Sequence, residues 1–111
     1  MASLAVFIVE DDPWYADLLE YYITLEPEYS VKKFSTGKDC LKNLHLNPFA
    51  ITLDFSLPDL KGKEVLKRIR ESHPDMPVII ISGQEDINIA VSLLNEGAFD
   101  YIVKDDDTRN R

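Results

Sequence analysis

Short apolar runs alternate with segments of helical spacing along the chain. Four runs are almost wholly apolar and lack the two-residue alternation of a half-exposed strand: Leu4 to Val9, Ala50 to Leu53, Val78 to Ile81 and Tyr101 to Val103. Such runs are typical of strands that are buried on both faces, as in a parallel sheet covered by helices. A fifth run, Ser30 to Ser35, is more polar and suits the edge of the sheet.

The segments between these runs have the spacing and the end signals of four helices. The predicted starts are Asp12 with Pro13, Thr36, Gly62 and Asp86, and the predicted ends lie near Pro27, Pro74 and Gly97. The apolar positions at helical spacing are Leu18, Leu19, Tyr22 and Ile23 in the first helix, Cys40, Leu41 and Leu44 in the second, Val65, Leu66 and Ile69 in the third, and Ile87, Ala90, Val91 and Leu94 in the fourth.

Strict alternation of strands and helices predicts the fold class. Short connections between the elements favour an α/β fold, a doubly wound parallel sheet of five strands with right-handed crossovers. The length of 111 residues indicates a single domain over 1–111, because an average domain has about 150 residues. The acidic residues Asp105 to Asp107 favour a helix start, but no apolar stripe follows them. We therefore expect the fifth helix to be truncated or missing.

Composition and charge exclude several classes of protein. An apolar fraction of 45% with 29% charged residues is that of a globular chain. The net charge of −8 opposes direct binding of nucleic acid. No apolar run approaches the roughly 20 residues that span a bilayer, and the N-terminus lacks a secretory signal. The single cysteine, Cys40, cannot form an internal disulfide, so we expect a cytoplasmic protein.

Polar residues follow the predicted strands at one edge of the sheet. Glu10 and Asp11 follow the first strand, Asp54 the third, Ser82 the fourth and Lys104 the fifth. Open parallel sheets bind ligands at this edge. Two carboxylates about 4 Å apart repel each other by on the order of 4 kcal/mol at an effective dielectric near 20. Mg²⁺ would offset that repulsion, and Lys104 would hold a phosphate oxygen.

Other residues are better explained by packing or solvation. The alternative for the acidic edge itself is a cluster neutralised by Lys104 alone. The remaining candidates are set aside as surface or core residues: His45 and His73 as surface, Cys40 as core, Trp14, Tyr15, Tyr21 and Tyr22 as helix surface and core, and Lys61, Lys63, Lys67, Arg68 and Arg70 as a solvated face. The sequence contains neither a dinucleotide fingerprint nor a Walker A loop.

Four segments together resemble the receiver domain of two-component response regulators. They are Val9 to Pro13, Leu53 to Gly62, Val78 to Gly83 and Gly97 to Lys104. The resemblance covers nearly the whole chain, and it implies a flavodoxin-like sheet with strand order 2-1-3-4-5. It also implies a signalling domain that changes only its own phosphorylation state and is not a turnover enzyme.

The resemblance assigns a phosphoacceptor role to Asp54. This carboxylate would take a phosphoryl group from a phosphohistidine on a histidine kinase or phosphotransfer protein, or from a small phosphodonor. Mg²⁺ would be held by Glu10, Asp11, Asp54 and the backbone carbonyl of Ser56. The metal would neutralise charge on the transferring group.

The same resemblance implies a switch. Ser82 and Lys104 would each contact a phosphate oxygen, and movement of Ser82 would let Tyr101 turn inward. The face formed by the fourth helix and fifth strand would then change shape for its partners. Ser56 and Gln84 stand at positions that in the family tune the lifetime of the phosphate.

Two departures from the family pattern affect these expectations. Asp105 follows Lys104, where the family usually has a proline after a cis peptide bond, and a cis bond before a non-proline residue costs about 3 to 4 kcal/mol. The missing fifth helix would leave apolar surface open near the first and fifth strands. We hypothesise that a second copy of the chain covers it. The resemblance allows an output domain beyond Arg111, and the sequence does not tell whether one follows.

Three functions remain open at this stage. The leading interpretation is a phosphorylatable receiver. The second is a pseudo-receiver that acts only as a protein-interaction module, which a misplaced Lys104 would favour. The third, a phosphohydrolase with Asp54 as nucleophile, is disfavoured because Ser56 stands where a second general acid is expected.

Overall fold

A computed structural model describes residues 3–83 and 86–104. Strands and helices alternate along these residues as the apolar pattern predicts. The strands are β1 (Leu4–Val9), β2 (Tyr29–Phe34), β3 (Ala50–Asp54), β4 (Val78–Ser82) and β5 (Asp100–Val103). The helices are α1 (Pro13–Ile23), α2 (Gly37–Lys42), α3 (Gly62–Ser72) and α4 (Ile87–Asn95), with a 3₁₀ turn at Leu44–Leu46.

The five strands form one parallel sheet. Their order is β2-β1-β3-β4-β5, and every neighbouring pair is parallel. Both the doubly wound fold class and the strand order 2-1-3-4-5 are therefore confirmed. In the register, Val9 pairs with Leu53, Asp54 with Ile81, and Ser82 with Val103. The carboxyl ends of β1, β3, β4 and β5 consequently finish at the same edge.

The core lies between the sheet and helices α2, α3 and α4. It consists of inward residues at alternate strand positions and one face of each helix: Phe7, Val9, Phe34, Cys40, Ile51, Leu53, Val65, Leu66, Ile69, Val78, Ile80 and Leu93, with Leu44, Leu57, Met76 and Ala98 at its margin. The other strand positions, such as Ile8 and Ile81, are buried on the opposite face, where Tyr15 and Ala16 of α1 are also buried. Apolar residues on both faces explain why the strand sequences do not alternate.

Most of the predicted helix ends are confirmed. The Trp14 N–H donates to Asp12 Oδ1 at 3.0 Å, and Pro13 is the first residue of α1. The Asn88 N–H donates to Asp86 Oδ1 at 2.8 Å. Gly97 follows α4 with φ of 103°, which glycine adopts more readily than other residues. Side-chain caps and a left-handed glycine thus begin and end these helices where the sequence predicts.

The second helix and the second strand differ from their predicted bounds, and β3, β4 and β5 are each one residue longer than predicted. Helix α2 ends at Lys42, so Leu44 belongs to the 3₁₀ turn and not to the second helix. The side chain of Asn43 donates to the Asp39 carbonyl, and its N–H donates to the Cys40 carbonyl, which tightens the helix at this point. Strand β2 is shifted by one residue from the predicted Ser30 to Ser35 and lies at the sheet edge as expected.

The predicted apolar face of the fourth helix is wrong. Ile87 is 73% exposed, and Val91 and Leu94 are also exposed. The helix instead buries Leu93 and packs Ile89 against the core. Apolar residues occupy two sides of α4, and helical spacing alone does not tell which side faces the sheet. The exposed side remains an apolar surface beside β5.

Some expectations fall on residues that the structure does not describe. They concern Gln84, the peptide bond between Lys104 and Asp105, and the start of a fifth helix at 105–107. Among the described residues, no helix has both the length and the apolar composition needed to cross a membrane.

Candidate functional site

Three carboxylates meet at the carboxyl edge of the sheet. Glu10 and Asp11 follow β1, and Asp54 ends the neighbouring strand β3. One carboxylate oxygen from each residue lies within 4.8 Å of those from the other two. Glu10 and Asp54 are buried, at 4% and 6% exposure, whereas Asp11 is exposed. The cluster therefore combines two buried carboxylates with one that solvent reaches.

Backbone groups in the turns hold the two buried carboxylates. The N–H of Asp12 donates to Glu10 Oε2 at 3.1 Å, and the N–H of Ser56 donates to Asp54 Oδ1 at 3.1 Å. The N–H of Glu10 donates to the Phe34 carbonyl at 2.9 Å, which ties this turn to β2. Each carboxylate is thus fixed through one oxygen, and its second oxygen faces Lys104.

Lys104 brings a positive charge to the cluster. Its Nζ lies 2.7 Å from Glu10 Oε1 and 3.4 Å from Asp54 Oδ2. The backbone N–H of Lys104 donates to the backbone carbonyl of Ser82 at 2.7 Å, which extends the pairing of β4 with β5. The ammonium group reaches the carboxylates with aspartate, and not proline, at position 105.

Glu10 Oε1 is a buried oxygen without a hydrogen bond among the described residues. It forms an ion pair with Lys104, whose Nζ lies 2.7 Å away. Buried polar atoms in native proteins almost always have a partner. The ammonium group supplies one here, and a metal cation bound between the carboxylates would supply a second.

The pKa shifts of Glu10 and Lys104 reflect their burial and the close approach of their charges. Burial, followed by the neighbouring Asp54 carboxylate, raises the pKa of Glu10 from 4.5 to about 7, against the opposing effects of Lys104 and the Asp12 N–H. Burial by itself lowers the pKa of Lys104, but contacts with Glu10 and Asp54 raise it above its usual value. Lys104 therefore stays protonated, and its contact offsets only part of the effect that burial and Asp54 have on Glu10.

The donor set fits a hard divalent cation. All three groups are carboxylate oxygens, which Mg²⁺ prefers, and Mg²⁺ keeps several water molecules when protein supplies only a few ligands. The exposed position of Asp11 leaves room for those waters or for a phosphoryl group. A cavity of about 310 Å³ opens beside Glu10 and Asp11 and is also lined by Lys33 and Ser35.

The other predicted site residues, Ser82, Ser56 and Tyr101, differ in their burial and in their contact with the cluster. Ser82 ends β4 and is buried, next to Lys104 in the pairing described above. Ser56 is exposed in the loop after β3, where it bonds Asp54 through its N–H and forms an isolated bridge with Lys61. Tyr101 lies on β5, half-buried and packed against the core. Ser56 and Ser82 thus adjoin the charged cluster through backbone contacts, and Tyr101 lies on the core side of the sheet.

Sequence reasoning missed the contact between Lys104 and Tyr15. The Nζ atom lies 4.7 Å from the centre of the Tyr15 ring. Tyr15 lies in the first turn of α1, only a few residues after Glu10 and Asp11. That short spacing is the signal that could have placed Tyr15 at this edge of the sheet.

Sequence reasoning also missed the role of Asp59. Its two carboxylate oxygens accept the N–H groups of Gly37 and Lys38, each at 2.9 Å, at the start of α2. This contact ties the loop after Asp54 to a second helix. Gly62 closes the same loop: its N–H donates to the Phe55 carbonyl at 2.8 Å, and a Cβ at this position would lie 2.8 Å from Phe55 Cα.

The two histidines, the cysteine and the basic residues of α3 do not join the cluster. His45 is exposed, and His73 lies partly exposed with Nε2 3.3 Å from Asn47 Oδ1. Cys40 is buried in the core, and burial raises its pKa to about 12. A groove of about 710 Å³ beside α3 is not lined by the three clustered carboxylates. Its lining consists of basic and acidic residues: Lys61, Lys63, Lys67, Arg70, Glu64, Glu71 and Glu96.

The comparison with known families decides the identity of the fold. The family described as the response regulator receiver domain matches residues 6–110. The chain belongs to this family. Receiver domains of this family occur in two-component response regulators.

Curated relatives of this receiver domain are longer regulators. The chain is 35% identical over 98 residues to the luminescence regulatory protein LuxO of Vibrio campbellii, covering 87% of this chain and 21% of that protein. It is 37% identical over 100 residues to the DNA-binding transcriptional regulator NtrC of Proteus hauseri, covering 89% of this chain and 21% of that protein. The receiver domain thus spans about a fifth of the length of these relatives.

Solved structures show the same architecture. The receiver domain of a LuxO repressor protein from Vibrio parahaemolyticus is 31% identical, with a TM-score of 0.87 over 97% of this chain and 83% of that chain. The response regulator domain of CheB from Thermotoga maritima is also 31% identical, with a TM-score of 0.82 over 92% of this chain and 78% of that chain.

Proposed function

We propose that this receiver domain accepts a phosphoryl group on Asp54 with the help of Mg²⁺. The observation that carries the proposal is the meeting of Glu10, Asp11 and Asp54 within 4.8 Å, with the Lys104 ammonium group 2.7 Å from Glu10 and 3.4 Å from Asp54. Three carboxylates and one lysine at the end of a parallel sheet form a site for a metal and a phosphoryl group.

Asp54 is the nucleophile in this proposal. One of its oxygens attacks the phosphorus atom of a phosphohistidine or small phosphodonor, the new O–P bond forms, and the bond to the leaving group breaks. Its backbone bond from Ser56 keeps the carboxylate in place.

Glu10, Asp11, Asp54 and the backbone carbonyl of Ser56 would hold the Mg²⁺ ion. The bound metal neutralises negative charge on the transferring phosphoryl group. Asp11 is exposed and can ligate directly, and Glu10 acts through water. Lys104 would move from the carboxylates to a phosphate oxygen as negative charge is added there.

Signalling would follow from a change at Ser82 and Tyr101. The hydroxyl of Ser82 binds a phosphate oxygen, and Tyr101 turns into the space that this movement opens. Tyr101 is half-buried beside the core, so a short inward movement would bury it. The adjoining side of α4, which includes the exposed Ile87 and Val91, would present the change to a partner.

The partners in this proposal are a histidine kinase or phosphotransfer protein and an output domain beyond Arg111. The output domain is supported by the greater length of LuxO and NtrC. A second copy of the chain would cover apolar residues such as Leu4 and Ile102, which are exposed on β1 and β5. The domain would work in the cytoplasm, and its net charge of −8 makes direct nucleic-acid contact unfavourable.

The test is uptake of one phosphoryl group, followed by mass spectrometry. The protein is mixed with a small phosphodonor, with and without Mg²⁺. We expect the wild type to gain one phosphoryl mass only with Mg²⁺, and Asp54→Asn to gain none. Asp39→Asn, which removes an exposed carboxylate from α2, is the matched control and should behave as the wild type.

Two results would overturn the proposal. A wild-type protein that stays unmodified at saturating Mg²⁺ and phosphodonor would indicate a pseudo-receiver. Release of many phosphate ions for each protein molecule at a fast constant rate would indicate a phosphohydrolase.

A further inference from the structure

The ring of Tyr15 faces the ammonium group of Lys104. The Nζ atom lies 4.7 Å from the ring centre, inside the roughly 6 Å over which a cation is attracted to an aromatic face. Tyr15 is 8% exposed, and the side chain of Lys104 is 24% exposed. Because little water reaches this contact, the attraction is stronger than that of an exposed pair.

The contact with Tyr15 differs from the other contacts of Lys104 because it does not change during phosphoryl transfer. The argument rests on the proposed function. Asp54 loses its negative charge when it forms the acyl phosphate, and Glu10 is engaged by the metal. The aromatic face keeps its charge distribution throughout. It can therefore hold Lys104 while the ammonium group exchanges a carboxylate oxygen for a phosphate oxygen.

We propose that Tyr15 is a positioning residue for Lys104, and that the face of its ring holds the ammonium group at the carboxylate cluster. A lysine needs such support because its charge is carried on a flexible four-carbon chain. The backbone of Lys104 is bound to the Ser82 carbonyl, and aspartate follows it in the chain. The ring supplies a constraint at the far end of the side chain.

The start of α1 places this ring. Asp12 accepts the Trp14 N–H and Pro13 occupies the first helical position, so the helix begins directly after the acidic residues. The Trp14 ring lies edge-on to the Tyr15 ring, with centroids 6.3 Å apart. One short segment therefore supplies two carboxylates of the site and the ring that supports its lysine.

The first experiment measures the position of Lys104 by NMR in the metal-free protein. An aromatic face shifts the resonances of a neighbouring group, so we expect the ε-methylene protons of Lys104 to lie upfield. Tyr15→Leu should abolish the shift, and Tyr15→Phe should keep it. Tyr22→Leu is the control, because Tyr22 is an exposed tyrosine on the same helix. Unshifted protons in the wild type would overturn the proposal.

The second experiment measures the rate at which a small phosphodonor modifies Asp54 at saturating Mg²⁺. Tyr15→Leu should lower this rate by roughly three- to tenfold, the range expected for a partly buried cation–aromatic contact. Tyr15→Phe, which keeps the ring, should recover most of it. In a Lys104→Met background, Tyr15→Leu should change the rate less than twofold.

A merely structural role predicts a different outcome. If Tyr15→Leu acted by loosening α1, it would slow the reaction equally in the Lys104→Met background, and that result would overturn the proposal. If Tyr15→Leu fails to fold, pentafluorophenylalanine at position 15 is used instead. It keeps an aromatic ring of similar shape and reverses the quadrupole that attracts a cation to the ring face. It should slow the reaction as leucine would, and a rate equal to that of Tyr15→Phe would contradict us.

The two proposals fail in different ways. A wild-type protein that takes up no phosphoryl group contradicts the proposed function. The Lys104 proton shift still decides in that case whether the Tyr15 ring holds the ammonium group.

Discussion

The carboxyl edge of the sheet and the core beside it are organised by opposite rules. In the core, residues such as Leu66, Ile69 and Ile80 are fully buried among other apolar groups. At the edge, Glu10 and Asp54 are buried among other charges. The core removes apolar surface from water, which favours folding. The edge concentrates three carboxylates around one lysine, and their mutual repulsion opposes folding.

This contrast shows where the molecule gains stability and where it forgoes stability for chemistry. The alternating elements bury enough apolar surface to tolerate an unfavourable cluster at the strand ends. Changes in the core should therefore alter stability without changing metal response. Changes at the edge should alter metal response and pH dependence, with smaller or even favourable effects on the metal-free protein.

The largest expected effect is the loss of stability when a core leucine of α4 is replaced by alanine, compared with the same change at the neighbouring exposed leucine. Leu93→Ala should lower the free energy of unfolding by about 2 to 5 kcal/mol, because Leu93 is 1% exposed in the core. Leu94→Ala changes the same residue type at 43% exposure and should cost less than about 1 kcal/mol. Urea denaturation measures both. Equal losses would contradict the orientation of α4.

The next effect is the pH dependence of the metal-free protein. The pKa of Glu10 is about 7 in the folded protein and 4.5 in the reference state. Between these values the folded state binds more protons than the unfolded state, so stability falls as pH rises. Each pKa unit corresponds to 1.36 kcal/mol, so the fall attributable to Glu10 is about 3 kcal/mol.

Glu10→Gln should remove this part of the pH dependence. The amide stays neutral, so the variant should be more stable than the wild type above pH 7 and similar to it near pH 4.5, as followed by urea denaturation without metal. Glu26→Gln, at an exposed position, is the control. Parallel stability curves for Glu10→Gln and the wild type would show that the Glu10 carboxylate carries no unfavourable burial.

A smaller effect is expected from Mg²⁺ binding. Mg²⁺ at ten times its Kd should add about 1.4 kcal/mol to the free energy of unfolding, because it binds only the folded site. Asp11→Ala should abolish this gain and raise the metal-free stability, since a repelled charge is removed. Thermal denaturation with and without Mg²⁺ measures the difference. An equal Mg²⁺ response in both proteins would place the metal elsewhere.

The smallest effect concerns the tie between the Asp54 loop and α2. Burial alone raises the pKa of Asp59, but the N–H groups of Lys38 and Gly37 lower it below its usual value. Asp59→Ala removes both bonds and should cost about 1 kcal/mol, as the loss of a helix cap does. Urea denaturation at pH 7 measures this loss. Thr36 caps the same helix, so Thr36→Ala is the comparison. If Asp59→Ala leaves the free energy of unfolding unchanged, the Thr36 cap alone is enough to hold the start of α2.

Much of the fold could be predicted because its signals are local. Buried strands are continuous apolar runs, and Asp12, Asp86 and Gly97 begin or end helices through bonds and torsions within a few residues. The orientation of α4 could not be predicted. Ile87 and Val91 on one side and Leu93 on another are equally apolar, and only packing against β5 and the core decides which is buried.

The site was predictable to the extent that topology determines it. Parallel strands bring Glu10, Asp11 and Asp54 to one edge, whatever their separation in sequence. The support of Lys104 by Tyr15 could not be predicted, because it depends on the angle at which α1 leaves the sheet. The tie from Asp59 to α2 depends likewise on how two loops meet in space.

The most direct test of the account is a crystal structure with Mg²⁺ and beryllium trifluoride, an analogue of the phosphoryl group. The account predicts beryllium trifluoride on an Asp54 oxygen, Mg²⁺ bound by Asp11 and Asp54, and the Lys104 ammonium group on a fluoride. Both ligands bound away from these carboxylates, or a folded protein that binds neither at saturating concentration, would contradict it.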